Sequence, residues 1–275
     1  MKKLARLCVL ALGLSSAFCQ TPVIVDGGVL NAASFDKTPG APLAPGQLVS
    51  IFGSDLAGRI QGNDTVPLSI SLADNVSVTF NGVTAGLDYV SPTLINAQLP
   101  WNVLPAGVST GTATIVVNRN GTPSATKTFN VSQFSPGIFF VVNGAGTEYA
   151  VAVIFPDNAW AAPVGAIAGV TARPAKVGDV LTLYTTGLGP VDTAIANGDI
   201  PPAGKLVNTT TTPTVLFGGV PAQTVLFSGL APQYPGVYLV NVLVPAGAPS
   251  GNSVPLQIQF NGGTPSTASV VIAIQ

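Results

Sequence analysis

Ala44 to Ala57 reads A-P-G-Q-L-V-S-I-F-G-S-D-L-A, and Lys176 to Gly189 reads K-V-G-D-V-L-T-L-Y-T-T-G-L-G. Gly46 aligns with Gly178, Leu48 with Val180, Ile51 with Leu183 and Leu56 with Leu188. Each copy is a turn glycine, then an apolar strand, then a glycine-bearing exit, which is how a small β-domain opens. The chain carries that opening twice.

The repeat continues downstream. V-S-V-T-F, Val76 to Phe80, alternates so that Val76, Val78 and Phe80 share a buried face while Ser77 and Thr79 face water, and Asn81-Gly82 then turns the chain as a hairpin. Its counterpart is P-T-V-L-F-G-G-V-P-A, Pro213 to Ala222, with Gly219 in the place of Gly82. L-I-N-A-Q-L-P, Leu94 to Pro100, matches L-V-N-V-L-V-P, Leu239 to Pro245. Ile95, Ala97 and Leu99 thereby fall on Val240, Val242 and Val244, one face of a strand, and Asn96 falls on Asn241 on the other. Both copies end with a glycine-bounded turn, at Gly107 and Gly247, and a strand pair joined through Asn120-Gly121 or Asn261-Gly262. Capped amphipathic helices are absent after the first nineteen residues.

These patterns divide the chain into residues 1–19, a first domain with its leader over 20–132, a connecting β segment over 133–174, and a second domain over 175–275. Val29 to Phe35 is expected as a first strand and Leu48 to Phe52 as the next. The connecting segment holds G-I-F-F-V-V before Asn143-Gly144 and Y-A-V-A-V-I-F before Pro156-Asp157. It reads as a hairpin extending one of the sheets; a mobile linker would leave Ile138, Phe139, Phe140, Val153 and Phe155 in water.

Composition agrees with short strands and many turns. The 31 glycines and 24 prolines make up one residue in five of 275, and charged residues are only 8%, against about 25% in ordinary soluble domains. The first residues form a secretory signal: Lys2, Lys3 and Arg6, an apolar core from Leu7 to Leu14, and Ala17-Phe18-Cys19 as a cleavage site before Gln20. Acylation at Cys19 is the alternative, but Phe18 is bulky where a lipoprotein signal needs a small residue. The apolar run is short for an uncleaved anchor.

Cleavage removes Cys8 and Cys19 and three of the ten basic residues, leaving seven against eleven acidic ones. A net negative chain without cysteine argues against nucleic acid or an anionic membrane as partner. No later segment is long and apolar enough for a transmembrane helix. The chain also has no histidine, so stability is expected to stay nearly flat from about pH 6 to 8.

Quoted in order, L-N-A-A-S-F, L-A-P-G-Q-L-V-S-I-F-G-S-D-L-A, Y-V-S-P-T-L-I-N-A-Q-L-P-W, S-P-G-I-F and G-D-V-L-T-L-Y-T-T-G-L-G-P-V closely resemble an uncharacterised C-terminal domain family of secreted acidobacterial proteins. The likeness covers nearly everything from Val29 to Gln275. Each half also resembles an IPT/TIG module, an immunoglobulin-like fold, through Pro45-Gly46 to Leu56 and the hairpin Phe217 to Ala222, although the proline-to-glycine spacing of the opening departs from that module. The resemblance implies an all-β chain of two tandem immunoglobulin-like (IPT/TIG-type) β-sandwiches, joined by a β-hairpin-containing segment and exported. It carries no catalytic residue.

Candidate chemistry is sparse. G-V-S-T-G, Gly107 to Gly111, has the spacing of a serine-hydrolase elbow, but that motif needs a strand-to-helix turn and a histidine base. Ser34 and Lys37 match S-x-x-K without its companion motifs or a helix. Glu148 is the only glutamate, so a two-carboxylate hydrolase would have to use paired aspartates converging in a cleft. Zinc has no usual ligand set. Asp192 and Asp199 could offer calcium a loop, but without the dense alternating acids of an established calcium motif. Neither a cofactor nor a metal is expected.

Tryptophan is the remaining handle. Trp101 stands where the second copy has Ala246, and Trp160 lies in the inserted segment; each is either an exposed platform for a sugar or protein partner or a cap on a sandwich end. The expectation is therefore a secreted or cell-envelope, non-catalytic module, with cleavage near Cys19-Gln20, for binding, adhesion or support. Its partner would be an extracellular protein or a polysaccharide. A carbohydrate-binding accessory module is the alternative, followed by a hydrolase, and an outer-membrane barrel is disfavoured by the terminal Gln275.

Overall fold

The structure, a computed structural model, describes residues 20–263, Ser266 and residues 270–275. The expected signal peptide, with Cys8 and Cys19, lies outside the described residues. No helix among them is long and apolar enough to cross a membrane.

The first half contains β1 (Val23–Asn31), β2 (Leu48–Ser54), β3 (Gln61–Gly62), β4 (Ser77–Phe80), β5 (Val83–Thr84), β6 (Gly86–Val90), β7 (Leu94–Gln98), β8 (Thr110–Arg119), β9 (Thr122–Pro123) and β10 (Lys127–Ser132). One sheet runs β1-β2-β7-β6-β3 and the other β10-β8-β4-β5, with β9 on β8. In immunoglobulin lettering these are A-B-E-D and G-F-C-C′. Leu43 leaves the first sheet to pair in parallel with Val131 on β10.

The second half contains β11 (Gly137–Ile138), β12 (Phe140–Val142), β13 (Glu148–Ala150), β14 (Ala152–Phe155), β15 (Ala159–Ala161), β16 (Ala172–Arg173), β17 (Val180–Thr186), β18 (Thr214–Phe217), β19 (Val220–Pro221), β20 (Val225–Leu230), β21 (Tyr238–Leu243), β22 (Gly251–Gln259) and β23 (Val271–Ile274). Its sheets run β16-β15-β14-β17-β21-β20 and β12-β13-β23-β22-β18-β19. A-B-E-D is now β14-β17-β21-β20, and G-F-C-C′ is β23-β22-β18-β19. Ala175 pairs in parallel with Ile274 on β23, as Leu43 does with β10. The chain is thus two sandwiches in tandem, each with two separate sheets rather than one closed barrel.

Alternation in the sequence becomes inside and outside. Val76, Val78, Phe80, Ile95, Ala97 and Leu99 are wholly buried in the first core, and Val240, Val242 and Val244 in the second. Burying each such aliphatic or aromatic side chain is worth about 1.5–3 kcal/mol. The hairpins close as the turn residues require: Asn81-Gly82, Asn120-Gly121 and Asn261-Gly262 each have both residues at positive φ, and so does Gly218-Gly219.

The A strands differ from expectation. The first strand starts at Val23, not Val29, and residues 32–35 lie outside it. Val23 and Ile24 pair with Ser54 and Gly53; after a bulge at residues 25–28 the pairing resumes at Val29 opposite Ile51. In the second sandwich Gly137 and Ile138 pair with Thr186 and Thr185, the equivalents of Ser54 and Gly53. Pairing resumes at Ala152 opposite Leu183, the equivalent of Ile51. The bulge of the first A strand is therefore the point at which the second sandwich inserts residues 139–151, folded as the β12–β13 hairpin.

The connecting segment consequently supplies strands to both sheets, not a hairpin to one. β13 lies parallel to β23 at Tyr149–Val271, while β14 and β15 extend the opposite sheet beyond β17. Ile138 is buried and Phe139, Phe140 and Val153 are half-buried, whereas Phe155 is 65% exposed.

Candidate functional site

The most elaborate polar arrangement in the molecule lies where the two sandwiches meet. The base of the first sandwich consists of the turn into β2 and the end of β7. It rests on the crown of the second, made by the end of β17, the β20–β21 turn and the Gly198 loop. Gln98 spans the junction: its Nε2 donates to the Gly46 carbonyl (3.1 Å) and its Oε1 accepts from the Gly198 amide. Leu48 N donates to Thr186 Oγ1 (3.0 Å), which in turn donates to the Gly236 carbonyl (2.6 Å). Asn31 Nδ2 donates to Ser135 O (2.7 Å), and Leu68 N to Gly198 O (2.8 Å). Gln47, Gln98 and Thr186 are almost wholly buried. Gln47 Nε2 has no hydrogen-bond partner among the described residues, but the pairs made by Gln98 and Thr186 fix one geometry, because another would leave them unsatisfied.

Trp101 belongs to this junction. Its amide donates to Asn197 Oδ1 (2.8 Å), and its half-buried ring packs on the core of the second sandwich. Gly46, at φ +79°, lies so close beneath the indole that a Cβ there would overlap it. Gly178, the equivalent glycine, has open space around it and Ala246 in place of the tryptophan. The indole Nε1 is buried with no hydrogen-bond partner among the described residues. This geometry favours the cap role for Trp101 over an exposed platform.

Trp160 is elsewhere, on β15, half-buried against Tyr149, Ala162, Ala172 and Val271. The two tryptophans are not brought together. Trp160 lies opposite Val153, Val153 opposite Thr182, Thr182 opposite Asn241, and Asn241 opposite Phe227. Residues directly opposite share a face, so these five form one row across the outer face of the second A-B-E-D sheet. The row holds no charge. Asn241 Oδ1 in its middle is buried and has no hydrogen-bond partner among the described residues, whereas Asn96 Oδ1, its equivalent, accepts from Ser50 Oγ (2.9 Å).

The acids are engaged locally. Asp192 accepts from the Asn208 amide, from Asn208 Nδ2 (2.8 Å) and from Thr193, while Asp199 accepts from the amide of Ile200. No group of three or more His, Cys, Asp or Glu side chains forms a metal site among the described residues. Arg173 bridges Asp157 and Asp179, each at 2.7 Å, tying β16 to the entry of β17. Gly107–Gly111 runs straight into strand β8, and Ser34 Oγ accepts from the Asp36 amide in a turn. Neither position has the helix its motif needs.

A cleft of about 600 Å³ beside the junction is bordered by Asn31, Ser34, Asp36, Ser132, Phe134 and Phe260. Phe134 stacks on Phe260 with centroids 4.2 Å apart and lies over Gly189, so its ring faces are already covered.

Hydrogen bonds hold three exposed carboxyls below the usual range: Lys127 acts on Asp26, Arg173 on Asp157 and Asn208 on Asp192. Their stabilisation is present above the unfolded carboxylate pKa of about 3.9 and is lost as pH falls through the lower folded value. Denaturant midpoints are therefore expected to be constant from about pH 6 to 8 and to fall only below about pH 4. A melting temperature drifting by many degrees near neutrality would contradict this.

No known family model matches the chain, and no curated protein matches it in sequence. Among solved structures it is similar to the plexin A4 extracellular region, at 12% identity over 97% of this chain and 19% of that one, TM-score 0.25. It is also similar to SGBP-B of the Bacteroides ovatus mixed-linkage glucan utilization locus, at 12% identity over 88% and 46%, TM-score 0.32. A tandem from titin matches at 10% identity over 93% and 67%, TM-score 0.21. The chain spans less than half the length of the first two. Strand order, A-B-E-D facing G-F-C-C′ twice over, makes both sandwiches immunoglobulin-like.

Proposed function

We propose that the chain is an exported, non-catalytic pair of IPT/TIG-type modules that binds or supports a partner outside the cytoplasm, akin to the C-terminal domains of secreted acidobacterial proteins. Residues 1–19 act as its signal peptide, residues 20–132 and 175–275 as its two immunoglobulin-like units, and the strands of 133–174 as part of the second unit's sheets. The observation that carries this reading is the junction, where buried amides and a tryptophan hold two sandwiches in one orientation. A rigid tandem presents surfaces at fixed spacing, which is a scaffold's task. The test exposes the mature chain to intact cell envelopes and insoluble polysaccharides, alongside chromogenic ester, glycoside and peptide substrates. Retention without turnover is the expected result; turnover abolished by one aspartate replacement would overturn it.

A second reading, carbohydrate binding, is favoured by the uncharged row from Trp160 to Phe227 across the outer face of the second A-B-E-D sheet. Aromatic rings stack on the apolar faces of pyranoses. In this reading an oligosaccharide quenches tryptophan emission, and Trp160→Ala weakens its binding by about tenfold or more. Unchanged affinity in that variant, or silence across a glycan array with folding intact, would dismiss it.

A further inference from the structure

The internal repeat shows a strand position that the second sandwich fills and the first leaves open. In the second, β23 lies between β22 and β13, which pairs with it in parallel at Tyr149–Val271. In the first, the equivalent strand β10 ends its sheet, and beyond β8 only Leu43, at Val131, bridges to it among the described residues. Two registers fix the equivalence. Leu43 N donates to Asn130 O and Ser132 N to Leu43 O, as Ala175 N does to Ala273 O and Gln275 N to Ala175 O. Thr128 lies opposite Thr114 and Val271 opposite Pro255, and the carbonyls of Thr114 and Pro255 accept from the hairpin-turn amides of Asn81 and Gly218. Val271 thus corresponds to Thr128 and Ile272 to Phe129. All four residues of β23 are buried, whereas Thr128 and Asn130 are exposed and Phe129 is half-buried.

The open position has the shape of a slot. Because Thr114 O is used on the β4 side of β8, Thr114 and Thr128 form a non-hydrogen-bonded pair, and the Thr128 amide and carbonyl point away from β8. They face a cleft of about 220 Å³, walled by Gly27, Val29 and Leu30 of β1 and by residues 36–41. The far wall is pinned: Asn130 Nδ2 donates to Gly40 O (2.9 Å), Thr38 N to Asp36 Oδ1 (2.9 Å) and Ala41 N to Thr38 O (2.9 Å). Phe129 borders the space and packs edge-on against Phe80, with centroids 5.8 Å apart. Gly27 lies in the bulge at the point where the second sandwich inserts β12 and β13. The first sandwich therefore keeps the slot and lacks the strand.

We propose that the β10 edge takes an extended polypeptide segment of a partner protein, added as a strand parallel to β10 in the register that β13 has on β23. In such strand addition main-chain hydrogen bonds supply affinity and alternate side chains supply selectivity. The Thr128 amide and carbonyl provide the hydrogen bonds. The residue before the bridged one lies beside Lys127, as Glu148 lies beside Val270, and the one after it lies beside Phe129, as Ala150 lies beside Ile272. An acid in the first place meets the Lys127 ammonium, whose ion-pair partner Asp26 is 93% exposed, and a small apolar residue in the third covers Phe129.

Strand addition gives the binding module a polypeptide partner and so rests on that reading, but the two can fail separately. The probe is the acetylated and amidated peptide Thr147–Val151, T-E-Y-A-V, titrated into the isotope-labelled mature chain. Amide resonances of residues 27–30 and 127–130 are expected to shift saturably by about 1 mM, the weak end of specific affinity, and the Thr128 amide to exchange more slowly. N-methylation of the peptide's alanine removes the donor to Thr128 O and is expected to weaken binding about tenfold or more. Thr128→Pro removes the edge donor without touching the ladder to β8, a change that an edge strand accepts; it is expected to abolish the shifts and leave the melting temperature in place. The N-methyl arm does not depend on how that variant folds. No shift at that concentration, shifts centred on Val271 instead of Thr128, or binding indifferent to both N-methylation and Thr128→Pro would each overturn the proposal. Retention on envelopes or polysaccharides could persist in all three cases, which would leave the module reading standing.

Discussion

Trp101→Ala is expected to lower stability by about 3 kcal/mol, the lower end for truncation of a large aromatic because the ring is only half-buried. For a chain of this size that is a fall in Tm of roughly 6–12 °C. The more telling consequence is in cooperativity. Trp101 is carried by the first sandwich, yet its ring packs on the core of the second. Removing it opens a gap above Gly46 and removes an apolar contact between the first sandwich and the core of the second. The parent is expected to unfold in one calorimetric transition, and the variant in two as each sandwich melts by itself. Trp160→Ala is the control, since that ring packs on the small cluster around Tyr149 and Ala172, away from the junction. A single transition in Trp101→Ala within a degree of the parent would mean that the indole adds nothing to the coupling.

Much of this architecture is legible in the sequence because it is written locally. Val76, Val78 and Phe80 announce a buried face by period alone, and Asn81-Gly82 announces the turn that follows, since few residue pairs accept two consecutive positive φ angles. The repeat then carries each such reading to the other half. What escapes is the A strand, whose two pieces are short and recognisable only by the partners they share on β2 and β17. A bulge at residues 25–28 and an insertion at 139–151 occupy the same place in the register but have nothing in common as sequence. The junction escapes for a different reason. Gln47, Gln98 and Trp101 stand where the second copy has Asp179, Leu243 and Ala246. Trp101 is one of the positions that differ between the copies, and it lies at the junction. A glutamine at the end of an exposed-looking strand, however, does not say that another domain covers it; only the neighbouring sandwich makes its burial intelligible.

Gln98→Leu tests that reading with a residue the fold already accepts, because Leu243 occupies the equivalent position in the second sandwich. Leucine fits the end of the strand in local conformation, so the strand itself loses little. At position 98 it leaves the Gly198 amide and the Gly46 carbonyl without the partners that Gln98 provides, and each orphaned buried group costs about 1–3 kcal/mol. The added apolar contact offsets part of this, for a net loss of about 2 kcal/mol, measured as a lower urea midpoint at unchanged slope. The reverse change, Leu243→Gln, falls on a half-exposed surface where water can satisfy the amide, and is expected to stay within about 0.5 kcal/mol of the parent. The same pair of side chains exchanged at two equivalent positions should thus give unequal effects, and the inequality measures what the second sandwich adds by covering the first. Because Gln98 and Trp101 act on one interface, combining Gln98→Leu with Trp101→Ala is expected to cost less than the sum of the two, by about 0.5 kcal/mol or more. Equal effects of the two exchanges, or strict additivity of the pair, would mean that the sandwiches are joined only by their linker.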